Sequence, residues 1–334
     1  MKSTAHVDIF ARRLVQSLSE TFSLNERTAV LGGSIGISIA PDHTVNAEQL
    51  MRNADTALYR AKASGRGSYR FFEQQMDTRL QALDALKLNL RDALIRNEFY
   101  LLYQPIVDLT TGRTVSFEAL MRWNHPSLGV ISPTEFIPVA ESTGWIVSFG
   151  RWALEEACRE ASLWPSSISV AVNLSAVQLS AGTVAVDVAN ALSEAGLSSD
   201  RLELEVTERV LIEDLDSNTA VLNALRQSGV RIAMDDFGTG YSSLSYLRRF
   251  SFDKIKIDRS IVQDLPDGNG GDAIARATIG LGRSLRICTT AEGVETRAQL
   301  ELIQQEGCTQ AQGYLFSRPV TASEVPALAE RIWV

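Results

Sequence analysis

The sequence is poor in the residues that build histidine or cysteine metal sites. It has 334 residues but only three histidines and three cysteines, and it contains no Cys-x-x-Cys pair. These counts argue against a histidine-based zinc centre, so any metal would have to be held by oxygen ligands. We expect Cys158, Cys288 and Cys308 to be buried thiols in a reducing compartment.

Long apolar runs and basic blocks are also missing. No apolar run approaches the roughly 20 residues of a membrane-spanning helix, and the opening Met1-Lys2-Ser3-Thr4 is not an apolar signal segment. We therefore expect a cytoplasmic chain without membrane contact of its own, although an upstream region could anchor a parent protein. The net charge of −8, without a Lys or Arg block, argues against binding of nucleic-acid polymers. An anionic small molecule could still bind if cations reverse the local field.

From Phe99 onward, apolar runs alternate with helical stretches. Eight strands alternating with helices over residues 99–334 have the size and rhythm of an α/β fold of the TIM-like (β/α)₈ barrel type, and a doubly wound open sheet is the alternative. Residues 108–113 are too short for a crossover helix, so the first two strands should form a hairpin. The predicted strands are Tyr100–Val107, Thr114–Met121, Ser169–Leu174, Arg201–Val206, Arg231–Met234, Lys254–Ile257, Ile287–Thr290 and Thr309–Gly313.

The residues before the barrel indicate a small α/β fragment and a connecting helix. Val7–Phe22 and Asn46–Ala63 have helical spacing, and Ala29–Ile39 has the pattern of a strand. Leucines at three- and four-residue steps predict one continuous helix over Glu73–Arg96.

Two adjacent carboxylates, Asp235 and Asp236, end the strand that begins at Arg231. Strand alternation sends them to opposite sides unless the backbone breaks there. Such a pair alone is more often an acidic turn. However, every predicted strand end carries a polar or charged group, and in a barrel these ends share one mouth. The groups are Gln104, Glu118, Arg122, Asn173, Glu205, Glu208, Asp235, Asp236, Lys256, Asp258, Glu292, Glu295 and Gln312.

This set of side chains has the chemistry of a two-metal phosphodiesterase. Carboxylates with an Asn carbonyl suit Mg²⁺ or Mn²⁺, and two ions bridged by an Asp could clamp a phosphodiester and activate water. Lys256 would stabilise negative charge or hold the attacking hydroxide, and Glu292 is the candidate base. Arg122 could bind a phosphate through its planar fork.

The motifs at these positions resemble those of the EAL-domain cyclic di-GMP phosphodiesterases, from about Phe99 to Val320. They are Tyr103-Gln104-Pro105-Ile106, Glu118-Ala119-Leu120-Met121-Arg122, Asn173-Leu174-Ser175, Glu205-Val206-Thr207-Glu208, Asp235-Asp236-Phe237-Gly238-Thr239-Gly240, Lys254-Ile255-Lys256-Ile257-Asp258, Ala291-Glu292-Gly293-Val294-Glu295 and Gln312-Gly313-Tyr314. The resemblance implies a barrel with an antiparallel first strand, hydrolysis of cyclic di-GMP to linear pGpG, and a homodimer formed through the barrel.

The resemblance also implies a role for each site residue. Lys256 and Glu292 would position and deprotonate the attacking water. The expected metal ligands are Glu118, Asn173, Glu205, Asp235 and Asp236, with Asp235 bridging the two ions. The expected substrate-binding residues are Gln104, Leu120, Arg122, Asp258, Glu295 and Gln312, of which Asp258 and Glu295 support the site. A lid is expected at Phe237, Gly238, Thr239, Gly240, Tyr241 and Ser242, anchored by Glu208.

Residues 1–72 resemble the C-terminal part of a GGDEF domain. The motifs are Ser34-Ile35-Gly36-Ile37, Ala54-Asp55-Thr56-Ala57-Leu58-Tyr59-Arg60-Ala61-Lys62 and Gly65-Arg66. The signature motif is absent, so this segment should not synthesise a cyclic dinucleotide. The expected organisation is a partial GGDEF-like segment over 1–72, a linker helix over 73–98 and the barrel over 99–334.

Two other functions remain as alternatives. A cyclic di-GMP receptor would bind the dinucleotide without cutting it, although no catalytic residue of the family pattern is missing. A barrel lyase would use Lys256 as a Schiff-base amine, but the neighbouring carboxylates should keep this lysine protonated.

Overall fold

The structure, a computed structural model, divides into two compact units, Met1–Asn89 and Leu90–Val334, which are described separately. Among the helices that it describes, none is both long enough and apolar enough to cross a membrane. The described residues are 2–18, 21–24, 27–30, 33–63, 68–73, 86–87, 89–208, 210, 215–238, 250–265 and 271–333.

The first unit contains both predicted helices, although the first ends at Leu18 and not at Phe22, which lies in a strand. It does not contain the long predicted strand. Its elements are α1 (Lys2–Leu18), β1 (Thr21–Leu24), β2 (Arg27–Val30), β3 (Ile35–Ile37), α2 (Ala47–Ala63) and β4 (Tyr69–Phe71). The prediction of one strand over 29–39 is wrong, because β2 pairs antiparallel with β1 whereas β3 pairs in parallel with β4. Helix α2 packs closely on β3, since a Cβ on Gly36 would lie 2.0 Å from the Ala54 carbonyl oxygen.

The linker helix is described only at its end. Residues 86, 87 and 89–93 are helical, and residues 94–97 form a turn in which Asn97 has a φ of 54°. The helix therefore stops before the predicted end at Arg96, because the chain turns to enter the next strand. Residues 74–85 and 88 of the predicted helix lie outside the described residues.

Eight strands in the described part of the second unit close into a barrel. The ring runs in the order β5, β6, β8, β9, β10, β11, β12, β13 and back to β5, and β7 extends β6 outside it. The closed ring confirms the predicted barrel and excludes the open sheet. The strands are β5 (Phe99–Asp108), β6 (Thr114–His125), β7 (Gly129–Ile131), β8 (Ser169–Asn173), β9 (Leu202–Thr207), β10 (Arg231–Phe237), β11 (Lys254–Ile257), β12 (Cys288–Ala291) and β13 (Gln310–Ala311).

The first barrel strand runs against all the others. β5 pairs antiparallel with both β6 and β13, whereas the other neighbours around the ring are parallel. This confirms the expected antiparallel first strand. The start of β5 therefore lies beside the end of β6, and Tyr100 is opposite Arg122.

Helices cover the outside of the barrel. Their bounds are α3 (Pro133–Thr143), α4 (Ile146–Ser162), α5 (Ala176–Ser180), α6 (Val184–Ala195), α7 (Leu215–Gln227), α8 (Arg259–Gln263), α9 (Gly271–Leu285), α10 (Arg297–Glu306) and α11 (Val325–Ala329). The outward side chains of the strands, such as Leu204 on β9 and Ile255 on β11, are buried in the apolar layer beneath these helices.

The inward side chains of β9 and β11 are charged. Glu203 and Glu205 alternate with the outward leucines, and Lys254 and Lys256 alternate with the outward isoleucines. They form two stacked ion pairs inside the barrel, with Lys254 Nζ 2.6 Å from Glu203 Oε1 and Lys256 Nζ 2.7 Å from Glu205 Oε2. The Lys256–Glu205 pair lies nearer the carboxyl ends of the strands, where the predicted site residues are.

Candidate active site

The Asp235–Asp236 pair lies on a β-bulge. Met234 is paired with Ile255 and Phe237 with Ile257, so two aspartates on β10 face only Lys256 on β11. Asp236 has a φ of 56°, in the left-handed region that aspartate tolerates better than most residues. The backbone break therefore overrides strand alternation and allows both carboxylates to reach the same mouth.

Lys256 is at the centre of the carboxylate cluster. Its side chain is buried, and its Nζ lies 2.6 Å from Glu292 Oε1, 2.7 Å from Glu205 Oε2 and 3.3 Å from Asp235 Oδ1. Glu118 Oε2 lies slightly further away, at 3.7 Å. One ammonium group thus faces four carboxylates, which lie on or directly after β6, β9, β10 and β12.

Amide side chains hold Glu118 in place. Asn173 Nδ2 donates to Glu118 Oε1 at 2.7 Å, and Gln312 Nε2 donates to Glu118 Oε2 at 2.6 Å. Gln312 Nε2 also donates to Gln104 Oε1 at 3.0 Å, and Gln104 Nε2 donates to the Ser317 carbonyl oxygen at 3.0 Å. With both of its oxygens bonded, Glu118 has a fixed orientation, and the Asn173 amide oxygen is left for another partner.

The oxygens near Lys256 are suited to a hard divalent cation. Asp235, Asp236 and Glu292 each place a carboxylate oxygen within 4.8 Å of the others'. Glu205 Oε1 is buried and has no hydrogen-bond donor among the described residues. Five carboxyl groups thus lie near one ammonium group, and a divalent ion with oxygen ligands would stabilise their charged forms.

The acid–base properties of the site follow from burial and from this charge excess. Burial raises the pKa of Glu292 to about 8, although Lys256 opposes the shift. Burial, followed by repulsion from Asp235, raises the pKa of Asp236 to about 6. For Lys256, burial alone would lower the pKa, but the carboxylates, led by Asp235, raise it well above its ordinary value. A lysine held this firmly as an ammonium ion is a poor Schiff-base nucleophile, which argues against the lyase.

Two cavities open at this end of the barrel and share Leu120. The first, of about 210 Å³, lies over the carboxylates and includes Gln104 and Gln312 in its wall. The second, of about 430 Å³, is largely apolar and reaches past Asn173 and Arg122 beneath α3 and α4. Arg122 Nη1 donates to the carbonyl oxygen of the adjacent Met121 at 2.9 Å.

The remaining predicted site residues lie at the rim of the barrel mouth or are not among the described residues. Asp258 caps α8 by accepting a hydrogen bond from the Ser260 amide at 2.9 Å, and Glu295 is exposed and paired with Arg259. Glu208 is buried just after β9. Phe237 and Gly238 are described, but the other positions of the predicted lid, Thr239, Gly240, Tyr241 and Ser242, lie outside the described residues.

Sequence reasoning missed Arg259 and Tyr314, which line the first cavity. Both come directly after predicted site positions, Asp258 and the Gln312-Gly313 step. Extending the inspection by one or two residues past each strand end would have included them. Nothing in the apolar pattern distinguishes them from surface residues.

Comparison with known proteins gives matches to two families and to characterised relatives. Residues 87–319 match the EAL domain, and residues 1–68 match the diguanylate cyclase GGDEF domain. The bifunctional diguanylate cyclase/cyclic di-GMP phosphodiesterase MucR of Pseudomonas aeruginosa is 41% identical over 98% of this chain and 48% of its own length. The cyclic di-GMP phosphodiesterase NbdA of the same organism is 41% identical over 93% of this chain and 40% of its own length.

A solved structure of the PaMucR phosphodiesterase in complex with c-di-GMP is similar to the barrel. It superposes with a TM-score of 0.70 at 43% identity, and the match covers 72% of this chain and 99% of that chain. The present chain spans less than half the length of MucR and NbdA. Because the EAL match covers most of the chain and the structural match covers nearly all of the solved domain, this chain belongs to the EAL domain family.

Proposed function

We propose that the chain hydrolyses cyclic di-GMP to linear pGpG in a metal-dependent reaction at the barrel mouth. The observation that carries this proposal is the buried Lys256 ammonium among four carboxylates, beside the Asp235–Asp236 bulge. The names of MucR and NbdA as cyclic di-GMP phosphodiesterases support the same reaction.

The proposed metal ligands are Glu118, Asn173, Glu205, Asp235 and Asp236, with Mg²⁺ or Mn²⁺ as the ions. Asp235 and Asp236 belong with Glu292 to the group of carboxylates whose oxygens lie within 4.8 Å of one another, and Glu205 Oε1 is buried without a donor among the described residues. Such oxygen donors suit these ions. When bound, the ions would polarise the phosphodiester and lower the pKa of a water molecule.

Lys256 and Glu292 would act on the attacking water. The Lys256–Glu292 contact of 2.6 Å fixes one carboxylate oxygen of Glu292 and leaves the other to accept a proton from water in the cavity. The water oxygen would form a bond to phosphorus as the bond from phosphorus to the 3′ oxygen breaks. The product is linear pGpG, which carries a 5′ phosphate and a free 3′ hydroxyl that is protonated from solvent.

The substrate would lie across both cavities. Gln104, Leu120 and Gln312 line the cavity over the carboxylates, and Arg122 projects beside the second cavity, where its guanidinium can pair with a phosphate. In this arrangement Asp258 and Glu295 support the rim. The lid over 237–242 with Glu208 as its anchor, the homodimer through the barrel, the cytoplasmic location and the domain boundaries at 72/73 and 98/99 stay predictions.

The test is turnover of cyclic di-GMP with Mg²⁺ or Mn²⁺, followed by chromatography of the product. Wild type should yield pGpG, and Glu292→Gln should lose most of the activity because the water is no longer deprotonated. Glu301→Gln, a matched change at an exposed position of α10, should have normal activity. Binding of cyclic di-GMP by calorimetry without any product would instead establish the receptor alternative.

A further inference from the structure

The cavity over the carboxylates has one cationic side chain among the described residues of its wall. Four of the lining residues are acidic, namely Glu118, Asp235, Glu292 and Glu295, and Arg259 is the cationic one. None of the sequence motifs discussed above gives Arg259 a role.

Arg259 is fixed from three sides and still remains accessible. Its Nη2 lies 2.8 Å from Glu295 Oε1, and its side chain is 53% exposed. Its aliphatic stem lies on Gly293, where φ is 66° and a Cβ would come within 2.3 Å of Arg259 Cγ. With its amide turned so that the oxygen faces the guanidinium, Gln263 accepts from Arg259 Nε and Nη2 at 2.6 and 2.8 Å. An exposed ion pair contributes little to stability, so the Arg259–Glu295 pair itself adds little to the stability of the fold.

We propose that Arg259 and Glu295 together read the base edge of one guanine, which makes Arg259 a specificity-determining residue. This inference rests on cyclic di-GMP being the substrate. Guanine places an acceptor, O6, beside two donors, the N1 hydrogen and the 2-amino group. The Arg259–Glu295 pair places a donor group beside an acceptor group and so complements that edge.

Adenine presents the opposite order at the same edge. Its 6-amino group would point at the guanidinium, donor to donor, and its N1 would face the carboxylate, acceptor to acceptor. Both contacts with adenine would set like groups against each other, which disfavours its binding. The pair would therefore favour guanine through both an attractive and a repulsive contact.

The inference is tested with Arg259→Met, which keeps a flexible apolar stem over Gly293 and removes every donor. The measurements are KM and kcat for cyclic di-GMP, and the inhibition constant of cyclic di-AMP against that turnover. We expect KM for cyclic di-GMP to rise about 10- to 100-fold, the range of one good base contact. We expect kcat to change little and the inhibition constant of cyclic di-AMP to stay constant or fall.

The matched control is Arg276→Met, which removes a similarly exposed arginine paired with Glu306 at 3.1 Å outside the cavity. It should leave both constants unchanged. An unchanged KM and an unchanged preference for guanine in Arg259→Met would overturn the inference while leaving the proposed reaction intact. A parallel weakening of both dinucleotides would also overturn it, because it would indicate a general structural effect. If wild type neither binds nor cleaves cyclic di-GMP, the proposed function itself fails, and this inference with it.

Discussion

Replacing Lys256 by methionine should lower the stability of the metal-free protein, and added metal should restore that stability. The change keeps the length of the side chain but removes the ammonium that contacts Glu292, Glu205 and Asp235 at 2.6–3.3 Å. Water cannot replace this charge, because the side chain is 1% exposed. The carboxylates would then repel one another or take up protons.

The size of the effect follows from the cost of removing one partner from a buried ion pair, about 3–5 kcal/mol. In a unit of this size, 1 kcal/mol corresponds to roughly 2–4 °C in Tm, so the metal-free variant should melt about 6–20 °C below wild type. Divalent ions that bind only the folded state supply the missing positive charge. Added Mn²⁺ should therefore raise the Tm of the variant more than that of wild type.

The assay is thermal melting with EDTA and with a series of Mn²⁺ concentrations. Lys254→Met is the matched control, because its ammonium is equally buried and pairs with Glu203 at 2.6 Å, one layer deeper than the proposed ligands. Lys254→Met should also melt early, but added Mn²⁺ should raise its Tm no more than that of wild type. Equal Tm values for Lys256→Met and wild type in EDTA, or equal rescue of both lysine variants, would refute the charge-balance reasoning.

Two further predictions concern the bulge and the deeper ion pair. Asp236→Ala should melt a few degrees below Asp236→Asn, since alanine in the left-handed region costs roughly 1–2 kcal/mol whereas asparagine tolerates it. Both variants should bind Mn²⁺ more weakly than wild type in calorimetry. Identical Tm values for the two variants would contradict the strain argument. The double variant Glu203→Leu/Lys254→Met should unfold in urea within about 1 kcal/mol of wild type, because an apolar pair can replace a buried ion pair. A double variant as unstable as Lys254→Met alone would show that the pair itself is needed.

The barrel was predictable because its strands are short, apolar and separated by helical patterns. The run Lys254–Ile257 has the same bounds in the sequence prediction and the structure, since Ile255 and Ile257 alternate with the two lysines. The antiparallel direction of the first strand could also be predicted, because the six residues 108–113 are too few for a crossover helix between parallel strands. In the first unit, by contrast, β2 and β3 form one apolar pattern that hides the break after Val30.

The composition of the site could be read from the strand ends, but its geometry could not. The sequence shows two adjacent aspartates, and only the β10–β11 register shows that a bulge leaves both opposite Lys256. Similarly, the pairing of Lys256 with several acids depends on four strands meeting in space. Arg259 was missed because its contacts with Glu295 and Gly293 join the start of α8 to the segment after β12.

The reversed direction of β5 sets the end of the barrel at which the chain enters it. In an all-parallel barrel the chain would enter at the end where the strands begin. Here β5, which is ten residues or ~33 Å long, begins at the mouth, with Tyr100 opposite Arg122. At the other end of the unit, the Trp333 amide donates to the Gly112 carbonyl oxygen, at the turn between β5 and β6. The chain therefore enters the barrel at the end that carries Lys256 and the carboxylate cluster, and Trp333 lies at the opposite end.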